Sequence, residues 1–361
     1  MSWSRQKMHK DRYYLLDAMR GVAALLVVFF HAGSFTQTNY AAKGYLAVDF
    51  FFALSGFVIA MSYGGRLRGG LSVWRFTLMR LIRFYPLFVL GLALGVTKAL
   101  GALFFADAQA ISIAQITLSA LWGIVMLPTL FAPHELFPLN GPAWSLFLEF
   151  AMSIAFAAWF VRWRDSSLVF LAVVSATAMT IFVIQTGTLH GGWAWSTFGV
   201  GVARITFAFT VGVLLARYKI HIERRVSWLA LLPITALVLT CSVAVYDAFP
   251  VDLIIALIVC PAILYLGIAF EVPPSMHGVS RFLGQISFPV YAVHFPLMFI
   301  FNFAVRKVGV PGELTIWLFI PCLFAGCSLL FHLFDVPVRR YLSDEFIKRR
   351  PPEIQHQPTG S

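Results

Sequence analysis

The chain has 361 residues, of which 60% are hydrophobic, 16% aromatic and only 12% charged, and its mean hydropathy is +0.82. A soluble globular domain carries about one quarter charged residues, so this composition excludes one and indicates a polytopic membrane protein. The net charge of +11 lies in short basic segments beside apolar runs, with no basic face or aromatic platform, which argues against nucleic acid as a partner.

Lipid supplies no backbone hydrogen-bond partners, so a spanning chain forms helices or a closed barrel. Long apolar runs, rather than alternation in ten-residue blocks, select helices, and the expected fold class is an all-α membrane helix bundle. Runs of spanning length occur at 16–35, 46–63, 86–105, 113–131, 143–161, 168–186, 199–216, 226–246, 253–269, 286–304 and 314–334. If all eleven crossed, the basic segment Arg217, Lys219, Arg224 and Arg225 would face the same side as neither the N-terminus nor the Arg66–Arg83 segment. Omitting 113–131 restores the pattern. Its end, "LPTLFAPHELFPLNGP", carries four prolines that oppose continuous helix.

The resulting expectation is ten spans, both termini cytoplasmic, and a re-entrant or outer-face segment around 113–142. Of the 27 Lys and Arg, only Lys43, Arg306 and Lys307 then lie outside, and Arg20, Lys98 and Arg204 lie within runs. Residues 1–14 form a cytoplasmic lead, 15–340 one membrane domain and 341–361 a cytoplasmic tail, partly disordered at "RRPPEIQHQPTGS". The first run imitates a secretory signal, but cleavage near "HAGS" would break the even count of spans. Cys241, Cys260, Cys322 and Cys327 lie in apolar stretches without a CxxC pair and read as small hydrophobes.

Ionisable groups in lipid are costly and face a bundle interior or a wet cavity. In "DAMRGVAALLVVFFHAG", residues 17–33, ten apolar residues separate Arg20 from His31. Eleven helical steps bring both side chains to one face, about 16 Å apart along the axis. Each alone has a bland explanation, a snorkelling arginine or a histidine bonded to a carbonyl; the shared face favours a joint purpose. Asp49, in "YLAVDFFFALSGF", enters the second span at a depth similar to His31 and is suited to hold its imidazole, though a helix cap is the plainer reading. Ser55 and Gly56 read as close-packing residues.

Further along, Arg80 and Arg83 in "RFTLMRLIRFYP" share a face suited to phosphate, or merely mark topology. In "NGPAWSLFLEF", Ser145 and Glu149 share a face, with Glu149 about 10 Å from the outer end. His294 lies mid-span in "YAVHFP", Arg204 lies within "GVARITFAF", and His332 and Asp335 share a helix end. Some of these serve only to knit helices together. No pair has local metal-ligand spacing, so no metal site is expected.

Taken in order, these segments resemble the type-3 membrane acyltransferase family. "LLDAMRGVAALLVVFFH" is similar to its opening motif, "GYLAVDFFFALSGF" to its second-span signature and "RLIRFYP" to its basic turn. "NGPAWSLFLEF" is similar to its Trp-Ser-Leu…Glu element and "GQISFPVYAVHFP" to its penultimate-span motif. Met19 departs from the usual leucine, and Phe288 and Pro289 from the usual Tyr-Ser pair.

The resemblance implies an O-acyltransferase of the bacterial inner membrane, surrounded by membrane lipid, with no permanently bound cofactor. The donor it implies is cytoplasmic acyl-CoA, acetyl-CoA foremost, and the acceptor a hydroxyl of a cell-surface or lipid-linked carbohydrate or another small molecule. Arg20, Arg80 and Arg83 would bind the donor phosphates, and Trp144, Ser145 and His294 would contact substrate. His31 would be the general base or a covalent acyl relay, with Asp49 or Glu149 orienting or stabilising it. An extended pantetheine arm, on the order of 15 Å, is comparable with the Arg20–His31 rise. The chain ends without the periplasmic esterase-like domain that some members append, which implies a stand-alone enzyme or separate polysaccharide-biosynthesis partner proteins. The rival reading is a transporter or flippase using the buried His, Arg and Glu as a proton or substrate path, and a third is a scaffold or sensor without chemistry.

Overall fold

The computed structural model describes residues 12–33, 36, 40–107, 110–131, 134–219, 224–242 and 250–348. The basic residues expected at positions 5, 7 and 10, and the tail from 349 to 361, lie outside the described residues. The chain stays helical as far as Lys348, past the tail boundary expected at 341.

In chain order the helices are α1 (Tyr14–Ala32), α2 (Ala47–Arg68, entered through a tight turn at Gly44–Leu46), α3 (Val73–Phe104), α4 (Ile113–Ile124) and α5 (Ala143–Ala158). They continue as α6 (Asp165–Thr186), α7 (Phe198–Tyr218), α8 (Leu231–Ser242), α9 (Val251–Ala269), α10 (His277–Lys307) and α11 (Gly312–Leu330). A wider turn at Phe331–Asp335 joins α11 to α12 (Val336–Ser343). The only strands among the described residues are two-residue segments, Arg225–Val226 and Phe270–Glu271, paired in parallel. The protein is an all-α polytopic bundle.

Among the described residues, eight helices are long and apolar enough to cross a membrane: Tyr14–Ala32, Gly44–Arg68, Val73–Phe104, Asp165–Thr186, Trp195–Tyr218, Val251–Ala269, Pro274–Lys307 and Gly312–Ile347. Three apolar helices are shorter, Ile113–Ile124, Ala143–Ala158 and Trp228–Ser242.

A boundary that bears on the site differs from the sequence reading. Residues 75–83 are not a connection: Ser72 caps α3, its side chain accepting the Arg75 N–H, and the helix runs from Val73 straight through Pro86. Arg80 and Arg83 therefore project from the body of a 32-residue helix.

The broadest helix contacts join α2 to α7 and α1 to α10. The first is set by glycine. A Cβ on Gly56 would lie 2.1 Å from the carbonyl oxygen of Phe209, so backbone meets backbone without side chains between. In the second, α1 and α10 run parallel: Arg20 meets Gly284 and Ser287, while His31, farther along, meets His294. The start of α1 is fixed by buried Glu271, whose carboxylate accepts the backbone N–H groups of Tyr14 (3.2 Å) and Leu15 (2.9 Å) and pairs with Arg224. A carboxylate there satisfies orphan donors and complements the helix dipole.

Candidate active site

The predicted site residues distribute around two cavities. One, of about 830 Å³, is lined by Arg20, Arg80, Arg83, Ser145, Glu149 and Ser287, among others. The second, of about 820 Å³, is lined by His31, Trp144, Arg204, Phe295 and the loop residues Glu135 and His190. Among the described residues, only Val48 and Tyr291 line both.

In the arginine cavity, charge is matched group by group. Arg20 donates to Ser287 Oγ (2.9 Å), the Gly284 carbonyl (2.7 Å) and Asp17 (3.1 Å). Arg80 donates to Glu149 at 3.3 Å, and Ser55 Oγ donates to the same oxygen at 2.6 Å. Ser55 thus bonds as well as packs. Arg83 differs, because among the described residues it pairs with no carboxylate. Its guanidinium lies over the Phe288 ring at 5.5 Å and faces the charges of Arg20, Arg80 and Arg339, and that of Asp335, which pairs with Arg339. A guanidinium beside a cavity with no carboxylate in salt-bridge contact suits an anionic ligand, and phosphate is the natural match.

His31 lines the histidine cavity as one member of a chain of two imidazoles. His294 is fully buried, and its Nδ1 lies 3.1 Å from the Val290 carbonyl and 3.0 Å from that of Tyr291. Its Nε2 lies 3.1 Å from His31 Nδ1, which is 2.9 Å from the Val27 carbonyl. Carbonyl oxygens only accept, so both Nδ1 atoms carry protons when the rings are neutral. His294 Nε2 then accepts from His31 Nδ1–H, which makes His31 Nε2 the unprotonated nitrogen. An imidazole held in that tautomer offers a lone pair on Nε2. His294, expected to contact substrate, sits behind His31 and lines neither cavity.

The two carboxylates expected to serve His31 do other work. Both oxygens of Asp49 bond Arg204, at 3.1 and 2.6 Å, and both residues are 1% exposed. Arg204 also donates to the carbonyls of Tyr45 (3.0 Å) and Gly191 (2.8 Å), tying α2 and α7 to the loop that bears His190. Glu149 belongs to the arginine cavity. Neither carboxylate makes a hydrogen bond or ion pair with His31. The correction has a simple cause: a shared depth in the bundle says nothing about direction around the helix, and Asp49 faces α7.

Trp144 packs with its ring edge against Gly192, whose φ of +111° suits glycine alone and whose missing side chain leaves room for the indole. Ser145 Oγ donates to the Pro142 carbonyl (2.9 Å) and lies 2.5 Å from the Tyr291 hydroxyl. The sequence reading passed over Tyr291, Glu135 and His190, and it left Arg204 without a partner. A signal existed for Tyr291: Gly284, Ser287, Tyr291 and His294 recur at helical spacing along the α10 face that meets α1. Among the described residues, no group of three or more His, Cys, Asp or Glu side chains is placed to hold a metal ion.

Residues 13–333 match the acyltransferase domain family, spanning both cavities and every helix that lines them. The chain belongs to that family of membrane acyltransferases. Over 189 residues the acyltransferase is 37% identical to "Protein 2 in picA locus" of Rhizobium radiobacter, covering 47% of this chain and 94% of that protein. Over 180 residues it is 29% identical to the "Putative membrane-bound transacylase BcsY" of Komagataeibacter xylinus, covering 47% of this chain and 43% of that one. No solved structure matches it.

Proposed function

We propose that this membrane acyltransferase moves an acyl group, acetyl foremost, from acyl-CoA in the arginine cavity to an acceptor hydroxyl in the histidine cavity. The acceptor class is a cell-surface or lipid-linked carbohydrate. The observation that carries the reading is the pair of cavities meeting at Tyr291 and Val48, with a cation free of salt-bridge contact in one and a tautomer-locked histidine in the other.

Arg83, with Arg20 and Arg80 exchanging their carboxylate partners, binds the donor phosphates. His31 Nε2 takes the acceptor proton as general base, with His294 holding the ring. Asp49 acts through Arg204 as a positioning residue for the wall of the acceptor cavity, and Glu149 holds Arg80 at the donor side. Trp144 and the neighbouring aromatic side chains supply flat apolar faces for a sugar ring, and Ser145 lines the arginine cavity, where it bonds Tyr291.

The same reading takes ten crossings with both termini cytoplasmic, α5 and the segment containing α8 completing the set and α4 remaining on the outer side. Three contacts support it. The end of α5 meets the end of α2 through Arg162 and the Leu67 carbonyl. The end of α8 meets the start of α2 through the Cys241 carbonyl and the Lys43 N–H. The 134–141 loop pairs with the 187–194 loop. The arginine cavity then faces the cytoplasm, where acyl-CoA is made.

Incubating the membrane protein with radiolabelled acetyl-CoA and a glycan panel tests the function. Acyl transfer is expected from the wild type and none from His31→Ala at equal membrane abundance. For Arg83→Ala, loss of a charge-assisted phosphate contact raises KM for the donor roughly 10-fold or more. Full activity in the histidine variant would refute the assignment.

A further inference from the structure

The two cavities are separate chambers, and the partition between them is chemical as well as steric. Tyr291 and Val48 form it, and the Tyr291 hydroxyl is buried against Ser145 Oγ at 2.5 Å. Because Ser145 already donates its own proton to the Pro142 carbonyl, its oxygen accepts here and Tyr291 donates. The tyrosine ring is held by Phe51, edge-on with centroids 5.5 Å apart, and by His294, tilted at 5.9 Å. A fixed O–H donor therefore stands where donor and acceptor chambers touch, one helical turn from the residue that locks His31.

From this we infer that Tyr291 is a catalytic residue, whose hydroxyl binds the thioester carbonyl oxygen and stabilises the oxyanion that forms there. The inference rests on the acyl-transfer reading above. In the step, the acceptor O–H gives its proton to His31 Nε2 and its oxygen bonds the thioester carbon. The carbonyl electron pair moves to oxygen, and Tyr291 transfers its hydrogen bond from neutral Ser145 to this anion, a stronger acceptor. Collapse re-forms the carbonyl and breaks the C–S bond, and the thiolate leaves with the proton held by His31. Tyr291 and Val48 are the described residues that line both chambers, so a donor arm that passes between the chambers there meets this hydroxyl.

The test is Tyr291→Phe, which keeps the ring and its packing and removes the donor. Removing one oxyanion donor lowers kcat on the order of 100-fold, while donor KM and affinity for a non-reactive thioether analogue of acyl-CoA stay within about twofold. Wild-type kcat in this variant overturns the inference, as does parallel loss of kcat and analogue binding, which marks Tyr291 as a wall only. Should the variant fail to fold, difluorotyrosine at 291 keeps shape and hydroxyl but makes the phenol more acidic. The alkaline limb of kcat then moves to lower pH, and an unmoved limb overturns the inference. Activity in His31→Ala, or none in the wild type, fails the underlying reading instead. Inactive His31→Ala beside fully active Tyr291→Phe fails this inference alone.

Discussion

At the scale of single residues, the proposed role of His31 as a base depends on what stands behind it. A carboxylate would have raised its proton affinity and kept it charged in part; a second imidazole, itself tied to two backbone carbonyls, fixes the tautomer without adding charge. The consequence is a sharp expectation for His294. His294→Ala frees His31 to rotate and to adopt the other tautomer, and kcat falls by about 100-fold or more, the usual worth of positioned general-base catalysis. Donor KM stays unchanged, since His294 touches neither cavity. Steady-state kinetics on the purified variant check this, and a rise in donor KM with intact kcat would place His294 in binding instead.

The element scale shows why α2 and α7 cannot be treated as passive scaffold. Glycine lets their backbones touch, and the buried Asp49–Arg204 pair bolts them together one side chain deep in the bundle. Buried ion pairs are weak sources of stability when intact, but removing one partner strands a charge and costs about 3–5 kcal/mol. Arg204→Ala is therefore expected to lower the melting temperature in detergent markedly and to release the loop carbonyls of Tyr45 and Gly191. Removing both charges together (Asp49→Leu with Arg204→Met) recovers much of that loss, because no unpaired charge remains. Thermal unfolding of the single and double variants separates the two outcomes; an additive double variant would count against coupling.

For the whole molecule, the parallel pair α1 and α10 is the axis along which the chemistry is arranged, with arginines at one end and imidazoles farther along. If the arginine end is cytoplasmic, the 134–141 and 187–194 loops lie on the opposite side of the membrane. Single cysteines at Glu135 and Trp193, in a chain with its four native cysteines replaced, are expected to react with a membrane-impermeant maleimide added outside intact cells. A cysteine at Arg68, at the end of α2, is expected to react only after permeabilisation. Labelling of Glu135→Cys solely from the cytoplasm would invert or break the ten-crossing arrangement.

Composition and run length alone determined that this chain is a helical membrane bundle, because a 60% hydrophobic chain has no other way to satisfy its backbone in lipid. Helical periodicity also determined that Arg20 and His31 share a face, and both do turn toward α10. Motif order was enough to identify the family. Which groups touch was beyond the sequence. Asp49 went to Arg204, 155 positions away, and His31 to His294, 263 positions away. Those separations are spanned only by helix packing, which glycine contacts such as Gly56 on Phe209 set. Likewise, that two chambers meet at Tyr291 and Val48 is a property of six helices arranged in space, and no single segment carries it.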